Sequence, residues 1–125
     1  MRKKIKETPT ISLYLHFPFC ESKCPYCAFY SIRPGKRDME EYLSSLVLEI
    51  DLLEKEMEGF PPVKTIYIGG GTPTLASSAI WGNLVGILEN RFNFLPGAEA
   101  TVEANPGSMT QEQIKIWKDW RISRV

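Results

Sequence analysis

The sequence predicts an α/β fold in which parallel strands alternate with helices. Short runs of alternating or branched apolar residues are separated by longer runs whose apolar residues recur every three or four positions. The resulting order, β-α-β-α-β-α-β, requires parallel strands joined by right-handed crossovers, with helices over one or both faces of the sheet. This spacing is compatible with a barrel or an open sheet, and in both the loops leaving the strands share one rim.

Composition limits the class of protein. The 125 residues fit a single domain, and the formal net charge of zero gives no electrostatic sign of a nucleic-acid or anionic-membrane partner. The three cysteines are odd in number and clustered, which argues against a secreted disulfide scaffold and favours a reducing, cytoplasmic setting. No apolar run approaches the length of a transmembrane segment.

The first half of the chain predicts a leader, a strand and a helix. Residues 1–10 are basic and lack the apolar run of a signal peptide, so we expect a disordered leader before a core domain over 11–125. Alternation predicts a strand over 11–16. A helix should begin at Asp38, capped by Asp38 with Glu41 as its capping-box partner, and end near Gly59.

The second half predicts two further strands and helices and the start of a fourth strand. Thr110 and Gln113 form a capping box at the last helix. The predicted elements are a strand over 63–68 followed by a glycine loop, a helix from Ser77 or Ser78 to Asn90, a strand over 98–104, a helix from Thr110 to about Trp120, and a strand opening over 122–125.

The three cysteines lie within eight residues as Cys20-x3-Cys24-x2-Cys27, a spacing typical of a ligand set. Apolar and aromatic residues on both sides predict a redox centre shielded from water. A closed zinc site needs four ligands, so zinc would require His16 as the fourth. A [4Fe-4S] cluster held by three thiolates would instead leave one iron open to a substrate.

Two further stretches fall on the same predicted rim, namely Gly69-Gly70-Gly71 and Glu103. Taken alone, the glycine triplet also fits a tight turn or a phosphate loop, although it lacks the lysine of a P-loop. Glu103 alone also fits a solvated strand end. His16 is more often a packed, hydrogen-bonded imidazole, and Tyr14 more often a core residue.

Three motifs in order resemble one family: Leu13-Tyr-Leu-His-Phe-Pro-Phe-Cys-Glu-Ser-Lys-Cys-Pro-Tyr-Cys-Ala-Phe, Tyr67-Ile-Gly-Gly-Gly-Thr-Pro and Val102-Glu-Ala-Asn-Pro-Gly. The chain resembles the radical S-adenosylmethionine (SAM) proteins from about Leu13 to Val125. The subgroup it resembles contains the oxygen-independent coproporphyrinogen III oxidases and the HemW-like haem chaperones. The resemblance implies the N-terminal part of a partial TIM-type (β/α)6 barrel, truncated at its fourth strand.

The resemblance also implies a site. Its cluster would be a [4Fe-4S] centre whose open iron chelates SAM and whose electron cleaves it to methionine and a 5′-deoxyadenosyl radical. An electron donor such as flavodoxin or ferredoxin, and haem or a porphyrin, are the implied partners. The implied metal ligands are Cys20, Cys24 and Cys27, and the implied SAM-binding residues are Tyr14, Tyr26, Gly69, Gly70, Gly71, Thr72 and Glu103.

The chain departs from the family pattern at three points. Phe29 stands where the oxidases carry a further cysteine, which favours the haem chaperones. Arg121 stands where the family usually has glycine, which would cost on the order of 1 kcal/mol if that position needs a positive φ. A full barrel takes roughly 250 residues, so we expect a fragment or a truncated gene product. The hypotheses are therefore a haem chaperone, a catalytic oxidase, or an inactive truncated remnant.

Overall fold

A computed structural model describes residues 8–125 of the chain. Three parallel strands form one sheet in the order β1-β2-β3, and a helix follows each strand, which confirms the predicted α/β class. The predicted leader over 1–10 lies outside the described residues except for 8–10, which are exposed coil. The elements are β1 Ile11–Phe17, α1 Asp38–Glu56, β2 Val63–Gly70, a 3₁₀ turn Pro73–Leu75, α2 Ser78–Arg91, β3 Phe94–Val102 and α3 Gln111–Asp119.

The two faces of the sheet have opposite character because side chains alternate along each strand. One face packs against the helices and forms the core. The other face is open, and on it Tyr14, Tyr67 and Thr101 are paired side by side across the three strands. The core residues are Leu15, Phe17, Phe19, Leu43, Ile66, Ile68, Ala76, Ile80, Trp81, Leu84, Leu88, Ala100, Val102 and Trp117.

β2 is longer than its apolar run predicts. Gly69 and Gly70 pair with His16 and Phe17 of β1, so the prediction that the whole glycine triplet forms a loop is wrong. Gly70 has a φ of +112°, a conformation that side-chain-bearing residues avoid. The glycines therefore extend the strand to the rim, and the chain turns away from the sheet only after Gly70.

The predicted bounds of β3 are also wrong. The strand begins at Phe94, which pairs with Val63, and it ends at Val102, so Glu103 follows the strand rather than lying within it. The sequence did not indicate the early start because Pro96 and Gly97 are poor strand formers that interrupt the alternation. The register of the β2–β3 pairing also shifts in this part of the strand.

The predicted fourth strand is reduced to one bridge in this structure. Thr101 of β3 pairs in parallel with Arg124, and the Val102 amide donates to the Arg124 carbonyl at 3.1 Å. The chain therefore returns beside β3 in the expected direction.

The helix ends test three sequence expectations. The capping role of Asp38 is wrong: no side chain caps α1, and the Asp38 carboxylate accepts from the Gly35 amide at 2.6 Å in the preceding turn. The capping box of Thr110 and Gln113 is confirmed. The expected strain at Arg121 is absent, because Glu58 is the only non-glycine residue with positive φ in the described chain.

None of the helices within 8–125 is long and apolar enough to cross a membrane.

Candidate metal and cofactor site

The cysteine segment is a loop closed at its base by backbone pairing. Phe19 and Ile32 form a parallel bridge, in which the Cys20 amide donates to the Ile32 carbonyl at 3.0 Å. The Ile32 amide donates to the Pro18 carbonyl at 2.7 Å. The two ends of the loop are thus fixed directly beyond β1, while the residues between them project from the rim of the sheet.

The three thiols lie along this loop and are all free of disulfides. Cys20 and Cys27 are half-buried, whereas Cys24 is exposed. The Cys27 amide donates to the Cys24 carbonyl at 3.0 Å, which makes a tight turn between these two cysteines. Within residues 8–125, no three His, Cys, Asp or Glu side chains converge closely enough to hold a metal ion. The three thiols therefore lie on one loop but do not form a preformed metal site.

The aromatic flanks of the cysteines shield only one side. Phe17 and Phe19 are buried and pack edge to face, with 5.2 Å between ring centroids. Beyond the last cysteine, the expectation of shielding is wrong, since Phe29 and Tyr30 are exposed. Tyr26, between the second and third cysteines, is 89% exposed. These rings lie on the projecting part of the loop, where no described element covers them.

His16 links β1 to the far arm of the cysteine loop. Its Nε2 lies 2.9 Å from the Tyr30 carbonyl oxygen, and its Nδ1 lies 2.9 Å from the Tyr14 hydroxyl. A carbonyl only accepts, so Nε2 donates and, in the neutral ring, Nδ1 accepts from Tyr14. Both ring nitrogens are thus engaged, which supports the packed-imidazole interpretation over a zinc ligand. Tyr14 is 59% exposed, so its interpretation as a core residue is wrong.

The glycine segment lies directly against the base of the cysteine loop. The Gly71 amide donates to the Phe17 carbonyl at 2.6 Å and the Thr72 amide to the Phe19 carbonyl at 2.7 Å. The Thr72 hydroxyl lies 3.6 Å from the Cys20 sulfur. A Cβ at Gly71 would overlap the Phe19 carbonyl and lie 2.9 Å from the Phe17 oxygen. Only glycine permits this approach of the two backbones.

Glu103 is fixed above the first two glycines. The Tyr67 hydroxyl donates to Glu103 Oε1 at 2.6 Å, and the Gly70 amide donates to Glu103 Oε2 at 3.2 Å. A Cβ at Gly69 would lie 2.8 Å from Glu103 Oε2 and 2.8 Å from the Tyr67 ring. The hydrogen bond with Glu103 is the main cause that raises the pKa of Tyr67.

Tyr67 is a candidate site residue that the sequence interpretation missed. It is two residues before Gly69 on β2, and strand alternation therefore puts it on the same face as the glycine. The alternation that puts Tyr67 on this face can be read from the sequence. Its contact with Glu103, which makes it part of the candidate site, is visible only in the structure.

A cavity of about 540 Å³ opens beside these residues. This volume is in the range of small-molecule sites. Its lining includes Gly71, Thr72 and Glu103, but not the three cysteines, Tyr14 or Tyr26. Tyr14 lines a separate groove against α1. The structure thus unites the glycine segment, Glu103 and the base of the cysteine loop, and leaves Tyr26 apart from them.

Comparison with known proteins identifies the family. Residues 14–125 match the family model described as the Radical SAM superfamily. The chain belongs to the radical SAM superfamily. The radical SAM match includes the cysteine loop, the glycine segment and Glu103.

The similar radical SAM relatives include haem chaperones. The chain is 36% identical over 118 residues to the haem chaperone HemW of Escherichia coli, covering 94% of this chain and 31% of the relative. It is 37% identical over 118 residues to HemW of Bacillus subtilis, covering 91% of this chain and 30% of that protein. The chain therefore spans about a third of the length of the curated relatives it matches.

A solved structure shares the fold. The coproporphyrinogen III oxidase HemN of Escherichia coli, described as a radical SAM enzyme, matches with a TM-score of 0.80 and 27% identity. The match covers 94% of this chain and 27% of that one. The predicted membership of this family and the predicted α/β fold of parallel strands with crossover helices, shared with a radical SAM enzyme, are confirmed.

Proposed function

We propose that Cys20, Cys24 and Cys27 bind a [4Fe-4S] cluster and that SAM binds between this cluster and the glycine segment. The observation that carries the proposal is the backbone contact of Gly71 and Thr72 with the base of the cysteine loop. Three free thiols on one loop supply the thiolate ligands that such clusters take, and they leave one iron without a protein ligand. The family membership of the chain supports the same donor set.

The chain's own residues prepare the site for SAM. When bound, the cluster supplies the electron that cleaves the carbon–sulfur bond of SAM. Gly71 has no side chain, so the methionine part of SAM can approach its backbone closely. Glu103 offers a carboxylate already oriented by two hydrogen bonds, which can accept from ligand donors.

Three further side chains of the predicted site have supporting roles in this proposal. Tyr26 presents an exposed ring on the loop, which suits stacking against the adenine of SAM. Tyr14 holds His16 and lies on the open sheet face next to Tyr67, with ring centroids 6.2 Å apart. Thr72 places its hydroxyl beside Cys20, the first ligand of the cluster.

For the whole protein we propose a cytoplasmic haem chaperone like HemW, reduced by a donor such as flavodoxin or ferredoxin. The relatives at 36–37% identity and Phe29 in place of the oxidases' cysteine support this function. The second candidate is an oxygen-independent coproporphyrinogen III oxidase, which the likeness to HemN favours.

The site is tested by anaerobic reconstitution with iron and sulfide. We expect the visible and electron paramagnetic resonance spectra of a [4Fe-4S] cluster, altered by added SAM. Cys24→Ala should lose the stable cluster, because two thiolates remain, whereas Ser22→Ala in the same loop should keep it. A wild-type chain that binds no cluster, or a Cys24→Ala variant that binds it equally well, would refute the assignment; the former would favour an inactive remnant.

Haem titration and turnover separate the two whole-protein functions. A chaperone should take up stoichiometric haem while decarboxylating coproporphyrinogen III negligibly. Decarboxylation linked to deoxyadenosine release would instead support the oxidase. Both measurements are made on the whole gene product, because the chain covers less than a third of its relatives HemW and HemN.

A further inference from the structure

The geometry points to Tyr67 as a positioning residue of the SAM site, which orients Glu103 through its hydroxyl. This inference rests on the proposed function of Glu103, and it assigns a role to a residue outside the SAM-binding set that the family resemblance implies. Tyr67 lies on β2, whereas Glu103 follows β3, so the contact joins the carboxyl ends of two strands. The hydroxyl-to-carboxylate distance of 2.6 Å is typical of a charge-assisted hydrogen bond.

Glu103 depends on this contact because little else fixes its side chain. Its backbone amide donates to the Ile68 carbonyl at 2.9 Å, which anchors the main chain only. The other partner of its carboxylate is the Gly70 amide, at the longer distance of 3.2 Å. Without the Tyr67 hydroxyl, Oε1 would have no partner among the described residues, and the side chain would regain rotational freedom.

The charge of Glu103 also remains available to a ligand. None of the salt bridges formed within the described part of the chain includes Glu103. Tyr67 and the Gly70 amide stabilise the carboxylate by donating hydrogen bonds and add no neutralising cation. Both Tyr67 and Glu103 line the 540 Å³ cavity. The pair therefore presents an oriented anionic acceptor to a ligand that carries ammonium or hydroxyl donors.

The raised pKa of Tyr67, caused first by the hydrogen bond with Glu103 and then by burial, agrees with this arrangement. The hydroxyl is therefore protonated throughout the neutral range and serves as a donor to Glu103. The Tyr67 side chain is 42% exposed and does not belong to the core. We therefore expect its hydroxyl to affect the orientation of Glu103 more than the stability of the fold.

The test is Tyr67→Phe, with Tyr30→Phe as the matched control. Tyr30 is also an exposed tyrosine near the site, and its hydroxyl makes no hydrogen bond to the described residues. On the reconstituted full chain, titration with SAM should show about tenfold weaker binding in Tyr67→Phe, because the freed Glu103 side chain must then be ordered when SAM binds. Tyr30→Phe should match wild type. Iron content should be unchanged in both variants, and the thermal unfolding midpoint should fall only slightly in Tyr67→Phe, because its hydrogen bond to Glu103 is exposed.

A double-mutant cycle separates positioning from direct contact with SAM. Glu103→Ala should weaken SAM binding more than Tyr67→Phe does, and adding Tyr67→Phe to Glu103→Ala should cause no further loss. An equal tenfold loss in both backgrounds, unaltered SAM binding in Tyr67→Phe, or loss of the cluster in that variant would overturn the inference. If wild type forms no SAM-responsive cluster, the proposed function itself fails, which is a distinct result.

Discussion

At Gly71 the two motifs that define the site come into backbone contact. The distance between the glycine segment and the cysteine loop is set by hydrogen bonds from Gly71 and Thr72 to carbonyls on either side of Pro18. The requirement for glycine at 71 is therefore steric, whereas Gly70 additionally needs its positive φ. Close packing between backbones tolerates no added methyl group.

Gly71→Ala should lower the free energy of unfolding by about 3 kcal/mol, because its Cβ would collide with backbone atoms that cannot move without breaking pairing at the loop base. Urea denaturation of the two proteins measures the difference.

Gly82→Ala is the matched control. Gly82 lies inside α2, and nothing lies within 4 Å of the position that an alanine Cβ would take there. Alanine should therefore raise the free energy of unfolding by about 0.5–1 kcal/mol through helix propensity. Equal effects of the two substitutions would contradict the steric role of Gly71.

At the scale of the elements, α3 anchors the turn that follows the glycine segment. The side-chain nitrogen of Gln113 donates to the carbonyls of Thr74 and Ala76 at 2.9 and 2.6 Å. Its side-chain oxygen accepts from the Thr110 amide at 2.8 Å within the capping box. Gln113 is buried, so one residue both caps α3 and supports the 3₁₀ turn Pro73–Leu75.

Gln113→Leu should destabilise the protein by about 2–4 kcal/mol, since it keeps a similar volume but leaves buried carbonyls without donors. Thermal and urea unfolding measure the loss. Gln111→Leu, at an exposed position of the same helix, should change stability by less than about 0.5 kcal/mol. A similar loss in both variants would contradict the role of the buried contacts of Gln113.

At the scale of the whole molecule, Tyr42 connects helix α1 to the rim of the sheet. Its hydroxyl donates to the His16 carbonyl at 2.7 Å, and its ring packs edge to face on Phe17 and Phe19. Burial, followed by the charge of Glu49, raises the pKa of Tyr42 well above its usual value. The layer of helices is thus fastened to the sheet beside the base of the cysteine loop.

The raised pKa of Tyr42 predicts the direction of an alkaline stability change. The unfolded state ionises at about pH 10, below the pKa in the folded state, so the contribution to stability is complete below pH 10 and is lost as the pH rises further. Tyr42→Phe should be about 1 kcal/mol less stable than wild type at pH 7, and this gap should narrow above pH 10. Denaturant midpoints between pH 7 and 11 provide the measurement.

Tyr30→Phe serves as the control for alkaline unfolding, because the Tyr30 ring is 68% exposed. It should follow wild type at every pH. A constant gap between wild type and Tyr42→Phe up to pH 11 would contradict the role of burial at Tyr42.

The sequence by itself determined the α/β class, the order of the elements and the family, because periodic apolar runs and three spaced motifs are local properties of the chain. It also predicted the capping box of Thr110 and Gln113, whose partners are three residues apart. It did not predict that Asp38 bonds to the preceding turn instead of capping α1, since Gly35 competes for the same carboxylate.

Only the tertiary structure decided which residues meet at the site. Tyr67 and Glu103 are 36 residues apart, and Thr72 and Cys20 are 52 apart, so their contacts depend on the register of parallel strands rather than on any local pattern. The same register carries Gly69 and Gly70 into β2 beside His16 and Phe17. The motifs predict the chemistry, and strand pairing determines which of the predicted groups lie together.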